Sequence, residues 1–318
     1  MHLALPDVFY PLDNPPPPEP NPEWQKSGNR QVSRGPSLLD LLRQMYDSPI
    51  LKPVMPYDPD AVIYQRLLAA MKDGRPQELR RLCSLYYVDE KSSDEEFNAK
   101  IEECIWVSTL LMFATGREGR KPRLDFFFMH LVTSSLFLIP YFKVLRNPQH
   151  KVMLLRAYIP GIFLLTLLRG RPIIKPNLLM SYTEKPRPSA SLSTIPVPDE
   201  ACLGDPRVDE DYNPWPELIA SCLHCPDTHV LKTMRTLIYA TQHYGDTPPG
   251  GAIGAFKLGK GSPLTETHTG TSSMDGTIFV RCAGILLDYM GRVTYGQPAR
   301  PDWDRSALGW DEAWDDED

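Results

Sequence analysis

Proline sets the limits on what this chain can fold into. Its 318 residues include 33 prolines, and each one removes a backbone donor and breaks a helix interior or a strand ladder. They are not spread evenly. They crowd into "NPPPPEPNP" near the N-terminus, into a break after "SLLDLLRQMY" and into residues 183–214. What lies between them has helical periodicity. "SLLDLLRQMY" opens on Ser37 as a plausible N-cap, and "DAVIYQRLLAAMK" and "PQELRRLCSLYY" are both amphipathic. Ser93 and Glu96 have capping-box spacing ahead of "DEEFNAKIEECIWVSTLLMFATG", which Gly116 closes. No segment alternates apolar and polar residues strongly enough to be a strand. The sequence therefore predicts a mainly α protein: a single irregular helical domain over 37–318 with long Pro/Gly-rich connections. Residues 1–36 are expected to be a disordered or docked proline-rich arm, with flexible loops at about 183–214 and 244–276, the second a lid or a disordered insertion.

Two segments, "LDFFFMHLVTSSLFLIPYF" and "VMLLRAYIPGIFLLTLL", are apolar enough to raise the question of a membrane. The first holds Asp125 and His130, the second Arg156 and Pro160, and each clean apolar run is shorter than the ~20 residues of a span. They are expected to be buried core helices, and the chain a soluble, cytoplasmic protein. The net charge of −6 argues against a nucleic-acid partner, which needs a basic face. The six cysteines, Cys83, Cys104, Cys202, Cys222, Cys225 and Cys282, are scattered rather than framed, as reduced thiols are. The N-terminus has no basic region followed by an apolar one, so no secretory signal is expected.

"GAFKLGKGS" nearly spells a phosphate-binding loop, but Gly261 stands where a magnesium-binding hydroxyl belongs and no strand precedes it. No Rossmann or flavin motif is present. "CLHCPDTH" brings Cys222, His224, Cys225 and His229 together, but Pro226 interrupts the geometry that zinc requires, and a buried thiol pair is expected there. "CPDTHVLKTMRTL" says more. With Asp227 as N-cap, helical spacing puts His229, Lys232, Thr236, Tyr239 and His243 in a stripe about 80° wide. That stripe is either a buried polar face in need of partners or a face turned to solvent. In "DFFFMHLVTSSLF", His130 sits in an apolar helix among Phe126, Phe127 and Phe137, with Thr133 and Ser134 one turn on. Burial would keep such an imidazole neutral, the form a metal needs, and the aromatic rings could hold a flat substrate.

Taken in order, "SLLDLL", "GREGRKPRLDFFFMHLVTSSLFL", "RGRP", "NPWPELI", "DTHVLKTMRTL" and "VRCAGILLDYMG" resemble the questin oxidase family from about Ser37 onward. Members of that family open the rings of anthraquinones and related aromatic polyketides with dioxygen, in secondary metabolite biosynthesis. They have been described as NADPH-using Baeyer–Villiger-type monooxygenases or as non-haem iron dioxygenases. The resemblance therefore implies iron and NADPH as cofactors, with dioxygen and a small aromatic polyketide as partners. In the iron description, four histidines and a carboxylated lysine hold the metal in a helical fold. The matching positions here are His130, His229 and Lys232, the last as its carbamate. A desolvated amine can take up carbon dioxide to become such an oxygen ligand. The resemblance further implies a substrate pocket of Phe126, Phe127, Thr133, Phe137, Thr236 and Tyr239. The family's paired N-terminal histidines have no counterpart here, which implies a chain shortened at its N-terminus. The alternative it leaves is a catalytically incomplete remnant that binds an aromatic ligand.

Overall fold

The structure, a computed structural model, describes residues 35–189, 199–201, 209, 211–257 and 264–315. The expected arm lies outside these residues except for Gly35 and Pro36, as do much of the 183–214 connection and the Lys260 region of the glycine-rich loop. The fold is mainly α, as the proline spacing predicts. Its helices are α1 (Leu38–Asp47), α2 (Ile63–Ala70), α3 (Arg75–Ser84), α4 (Asp94–Phe113), α5 (Phe126–Val144), α6 (Pro148–Leu168), α7 (Pro176–Met180), α8 (Trp215–Leu223), α9 (Thr228–Tyr244) and α10 (Ile278–Met290). Strands β1 (Phe256–Lys257) and β2 (Thr265–Glu266) pair antiparallel, with Phe256 opposite Glu266.

The predicted caps close as their residues require. The Ser37 hydroxyl accepts from the Asp40 N–H at 3.1 Å, and the Ser93 and Glu96 side chains each accept the other's backbone N–H. Helix α4 is the axis of the molecule: from Lys100 to Phe113 every residue is buried, and α1, α5, α6 and α10 all pack against it. Trp106, fully buried, meets Phe279 of α10 with ring centroids 4.8 Å apart. The two apolar segments become α5 and α6, each long and apolar enough to cross a bilayer by length and composition. Here α5 lies between α4 and α9, and α6 packs on α2 and α3. Both carry an internal proline, Pro140 and Pro160, each of which removes one backbone donor from its helix.

Within the segment at 244–276, expected to be a flexible lid or a disordered insertion, part of the described chain is packed. Gly250 to Ala255 are buried, and the Thr267 and Thr271 hydroxyls donate to the Gly254 and Ala255 carbonyls at 2.7 and 2.6 Å. Glycine and threonine are used here for close packing, which composition alone does not separate from flexibility. Gly254 shows the constraint. Its φ is +83°, and a Cβ there would stand 2.3 Å from the Ser37 Oγ that caps α1. Gly254→Ala is therefore expected to cost about 2 kcal/mol or more, from left-handed backbone strain plus the displaced cap. A shift in the urea midpoint at unchanged slope would measure it; a midpoint equal to that of the native chain would contradict the reading.

The C-terminal segment, which has no helical periodicity, is clamped by "GREGRKPR". Arg117 binds Asp311 at 2.7 Å, Arg120 donates to the Trp314 carbonyl at 2.7 Å, and Arg123 pairs with Asp304 while donating to the Ala313 carbonyl. Trp314 thus lies under the Arg117 and Arg123 guanidiniums, and Trp310 packs against Tyr57 and Arg66.

A paired-imidazole candidate site

Two aspartates start the two helices that carry the predicted histidines. Asp125 caps α5, its Oδ1 accepting from the Phe127 and Phe128 N–H groups at 2.8 and 3.3 Å. Its Oδ2 accepts from Arg169 Nε at 2.6 Å, and both side chains are 1% exposed. Asp227 caps α9 through the His229 N–H at 2.8 Å, as the sequence predicts. His130, one turn into α5, and His229, the second residue of α9, emerge at the junction between the two helices.

The two imidazoles meet there. The ring centroids of His130 and His229 are 5.3 Å apart, and Phe126 lies 4.6 Å from the first and 5.7 Å from the second. Both rings are held the same way. His130 Nδ1 donates to the Phe126 carbonyl at 2.9 Å and His229 Nδ1 to Asp227 Oδ1 at 2.8 Å. Both acceptors lack a hydrogen to give, so the Nδ1 atoms carry the protons and the neutral rings keep their Nε2 lone pairs. Trp303 Nε1 donates to the other Asp227 oxygen at 2.7 Å. Burial alone would raise the Asp227 pKa, but the bonds from the His229 backbone, its ring and Trp303 outweigh it and hold the carboxyl below its ordinary value. The Arg305 guanidinium lies over the Phe126 ring at 4.0 Å and adds positive charge beside the pair.

Other expectations for this site are corrected. His130 is exposed, and the His229 side chain is 28% exposed, so the pair sits at the surface rather than in a dry core. Lys232 is exposed as well, so the burial on which the carbamate expectation rested is absent. The cause is angular: three residues on from His229 the helix has turned about 60° short of a full circle. That takes Lys232 toward the outer arc, with Leu231 and Arg235, while the inner arc holds Thr233 and Leu237. The polar stripe is thus largely the solvent-facing alternative, with Tyr239 stacked on His243 at 3.9 Å.

Of the predicted pocket residues, Phe126 alone touches both imidazoles. Phe127 lies under the Arg169 guanidinium at 4.8 Å, and Phe137 is 48% exposed with Arg235 5.6 Å from its ring. The Thr133 and Thr236 hydroxyls turn back to the carbonyls of His130 and Lys232 in their own helices. Trp303 and Arg305 are the functional neighbours that sequence reasoning missed. They reach the pair from a segment more than 70 residues downstream of Asp227, a distance no local pattern reports.

Two imidazoles on one ion, with bonds of about 2.1 Å, would have centroids roughly 4.5–5.2 Å apart, and the observed pair is close to that. The set implied for iron is larger, and no group of three or more His, Cys, Asp or Glu side chains suited to a metal occurs among the described residues. The described residues do not compose that centre. Nor do Cys222 and Cys225 make a zinc site: their thiols donate to the Ile219 and Ser221 carbonyls, and burial pushes Cys222 up to about 11.

The comparisons with known proteins come to two findings. The model of a family described as questin oxidase-like matches residues 3–237. That span begins upstream of Ser37 and stops short of "VRCAGILLDYMG", so it is longer at one end and shorter at the other than the motifs indicate. No curated protein matches.

Proposed function

Because the chain belongs to the questin oxidase-like family, a membership that implies an oxidoreductase, we propose that it uses dioxygen to open a ring of a hydroxylated anthraquinone or related aromatic polyketide in secondary metabolite biosynthesis. The observation that carries the reading is the imidazole pair, 5.3 Å apart, with both Nδ1 atoms tied back. With Nδ1 tied back, the Nε2 atoms are the ones left to take a phenolic proton. Asp227 orients His229 and compensates its charge when it takes a proton. Removing the phenol proton makes the ring electron-rich beside the quinone carbonyl, where oxygen must enter. Arg305 supports the phenolate, and Phe126 offers an aromatic edge to the substrate.

The electron balance separates the two kinds of ring opening. Inserting one oxygen atom consumes one NADPH per dioxygen and releases water; inserting both atoms consumes none. The proposal is a cytoplasmic enzyme with no membrane span and no nucleic-acid partner, which the packing of α5 against α4 and α9 and the net charge of −6 support.

The test is oxygen uptake by the purified chain with a hydroxylated anthraquinone, with NADPH consumption followed in parallel. Uptake is expected, reduced roughly 100-fold or more in His229→Gln and His130→Gln with helix content unchanged. The solvent-exposed Lys232 and the short set of metal donors favour a second reading, a protein that binds the aromatic without turnover. Quinone binding by both native and variant chains with no oxygen consumed, whatever is added, would decide for that reading.

A further inference from the structure

The end of α1, the "RGRP" turn and the C-terminal segment enclose a pocket of about 410 Å³ that shares no residue with the imidazole pair. Its charged side chains are Arg117, Arg171, Lys175 and Asp311, three cations against one carboxylate. That +2 balance stands out on a chain whose net charge is −6. Asp311 does little to fill it: its side chain is 95% exposed and bonded to Arg117 alone. Arg171 donates only to main-chain oxygens, through Nη1 to the Met45, Tyr46 and Ser48 carbonyls, so none of its described partners cancels its charge. Its Nε and Nη2 have no acceptor among the described residues. The Lys175 ammonium likewise makes no hydrogen bond or ion pair among them.

The backbone holds these cations in place. Lys175 N–H donates to the Ala114 carbonyl at 2.7 Å, just past the end of α4. Arg171 is a non-glycine residue at φ +53°, a conformation that costs roughly 1 kcal/mol or more and persists where the surroundings impose it. Burial, and then the neighbouring Arg117, hold the Lys175 amine below its ordinary pKa against the smaller opposing pull of the Glu118 and Asp311 carboxylates. Its positive charge is thus held at a cost that a bound anion would relieve. The remaining walls are apolar: Tyr46, whose hydroxyl is spent on the Pro172 carbonyl at 2.7 Å, with Pro53 and Ile173.

We propose that this pocket binds a small aromatic acid, its carboxylate or phosphate seated among Arg117, Arg171 and Lys175 and its ring against Tyr46, Pro53 and Ile173. A guanidinium fork and a mobile ammonium suit a multi-oxygen anion, and the volume falls in the range of small-molecule sites. The site is independent of the ring-opening reading.

The test is calorimetric titration of the full chain with benzoate, phenyl phosphate and neutral benzamide. One or both anions are expected to bind and to weaken as salt rises, while benzamide does not bind. The anion that binds identifies the natural headgroup. Lys175→Gln is the informative variant, since that ammonium holds nothing in the fold. It is expected to weaken binding about tenfold or more while the melting temperature of the free protein stays put. Arg171→Gln should abolish binding, though it also loosens the end of α1. If neither anion binds, if benzamide binds as well as benzoate, or if Lys175→Gln binds like the native chain, the site does not exist as described.

Discussion

Arg169→Met is expected to destabilise the chain by about 3–5 kcal/mol, lowering the melting temperature by roughly 10 °C, though it touches neither imidazole. The reason is the carboxylate it abandons. Asp125 and Arg169 are each 1% exposed and 2.6 Å apart, and burial already raises the Asp125 pKa, so without the guanidinium the carboxyl must either bury an unpaired charge or take up a proton, with only the α5 cap bonds to hold it. The damage then runs along the chain. Asp125 anchors the first turn of α5, where Phe126 supplies the carbonyl that fixes the His130 ring. Loss of the ion pair is therefore expected to loosen the candidate site before it unfolds the domain. A second substitution tests the cause. Asp125→Ser keeps a capping oxygen and removes the charge, so Arg169→Met with Asp125→Ser should be more stable than Arg169→Met alone. A single variant that costs under about 1 kcal/mol, or a double variant no better than the single, would show that the buried pair does not hold this end of α5.

The features legible in the sequence were those encoded within a turn or two of helix. Ser37, Ser93 with Glu96, and Asp227 all cap as their spacing foretold, because a cap is a contact across two or three residues. The meeting of His130 with His229 is not local, and only the family resemblance brought the two together. Lys232 went the other way. Its spacing puts it in one stripe with His229, but spacing fixes an angle and not which way the helix faces, and α9 turns Lys232 outward. The largest omission was the C-terminal segment. It has no periodicity, yet it supplies Trp303 and Arg305 to the imidazole pair, and Gly309 and Asp311 to the basic pocket. The arginines of "GREGRKPR" that clamp it are visible in the sequence, but their partners lie more than 180 residues away. Both candidate sites are thus finished by a stretch outside the family match, which ends at Leu237.

The second large effect concerns the glycine- and threonine-rich segment and should appear as an acid instability with a single source. His268 is 3% exposed, and neither ring nitrogen has a hydrogen-bond partner among the described residues. It is buried because its turn is, held where the Thr267 and Thr271 hydroxyls bind the Ala255 carbonyl, with the Tyr46 ring edge-on at 5.8 Å. Burial lowers its pKa from 6.5 to about 4, Arg43 and Lys257 add to the shift, and Asp47 opposes it. In the unfolded chain the same imidazole takes its proton near its ordinary value. Between those two pH values the unfolded state therefore binds more protons, and stability rises with pH. The penalty is absent well above pH 6.5, grows as pH falls, and is complete by about pH 4, where it amounts to about 3 kcal/mol. His268→Leu removes the titrating group and sacrifices no hydrogen bond, so denaturant titrations at pH 7.5 and pH 4.5 should show a smaller fall for the variant by about 2–3 kcal/mol. At pH 7.5 the variant should be at least as stable as the native chain, since two unpaired nitrogens leave the core. Equal acid losses in the two proteins would mean that the turn opens and hydrates His268 before the helices come apart, making the segment between α9 and α10 the first part of the fold to yield.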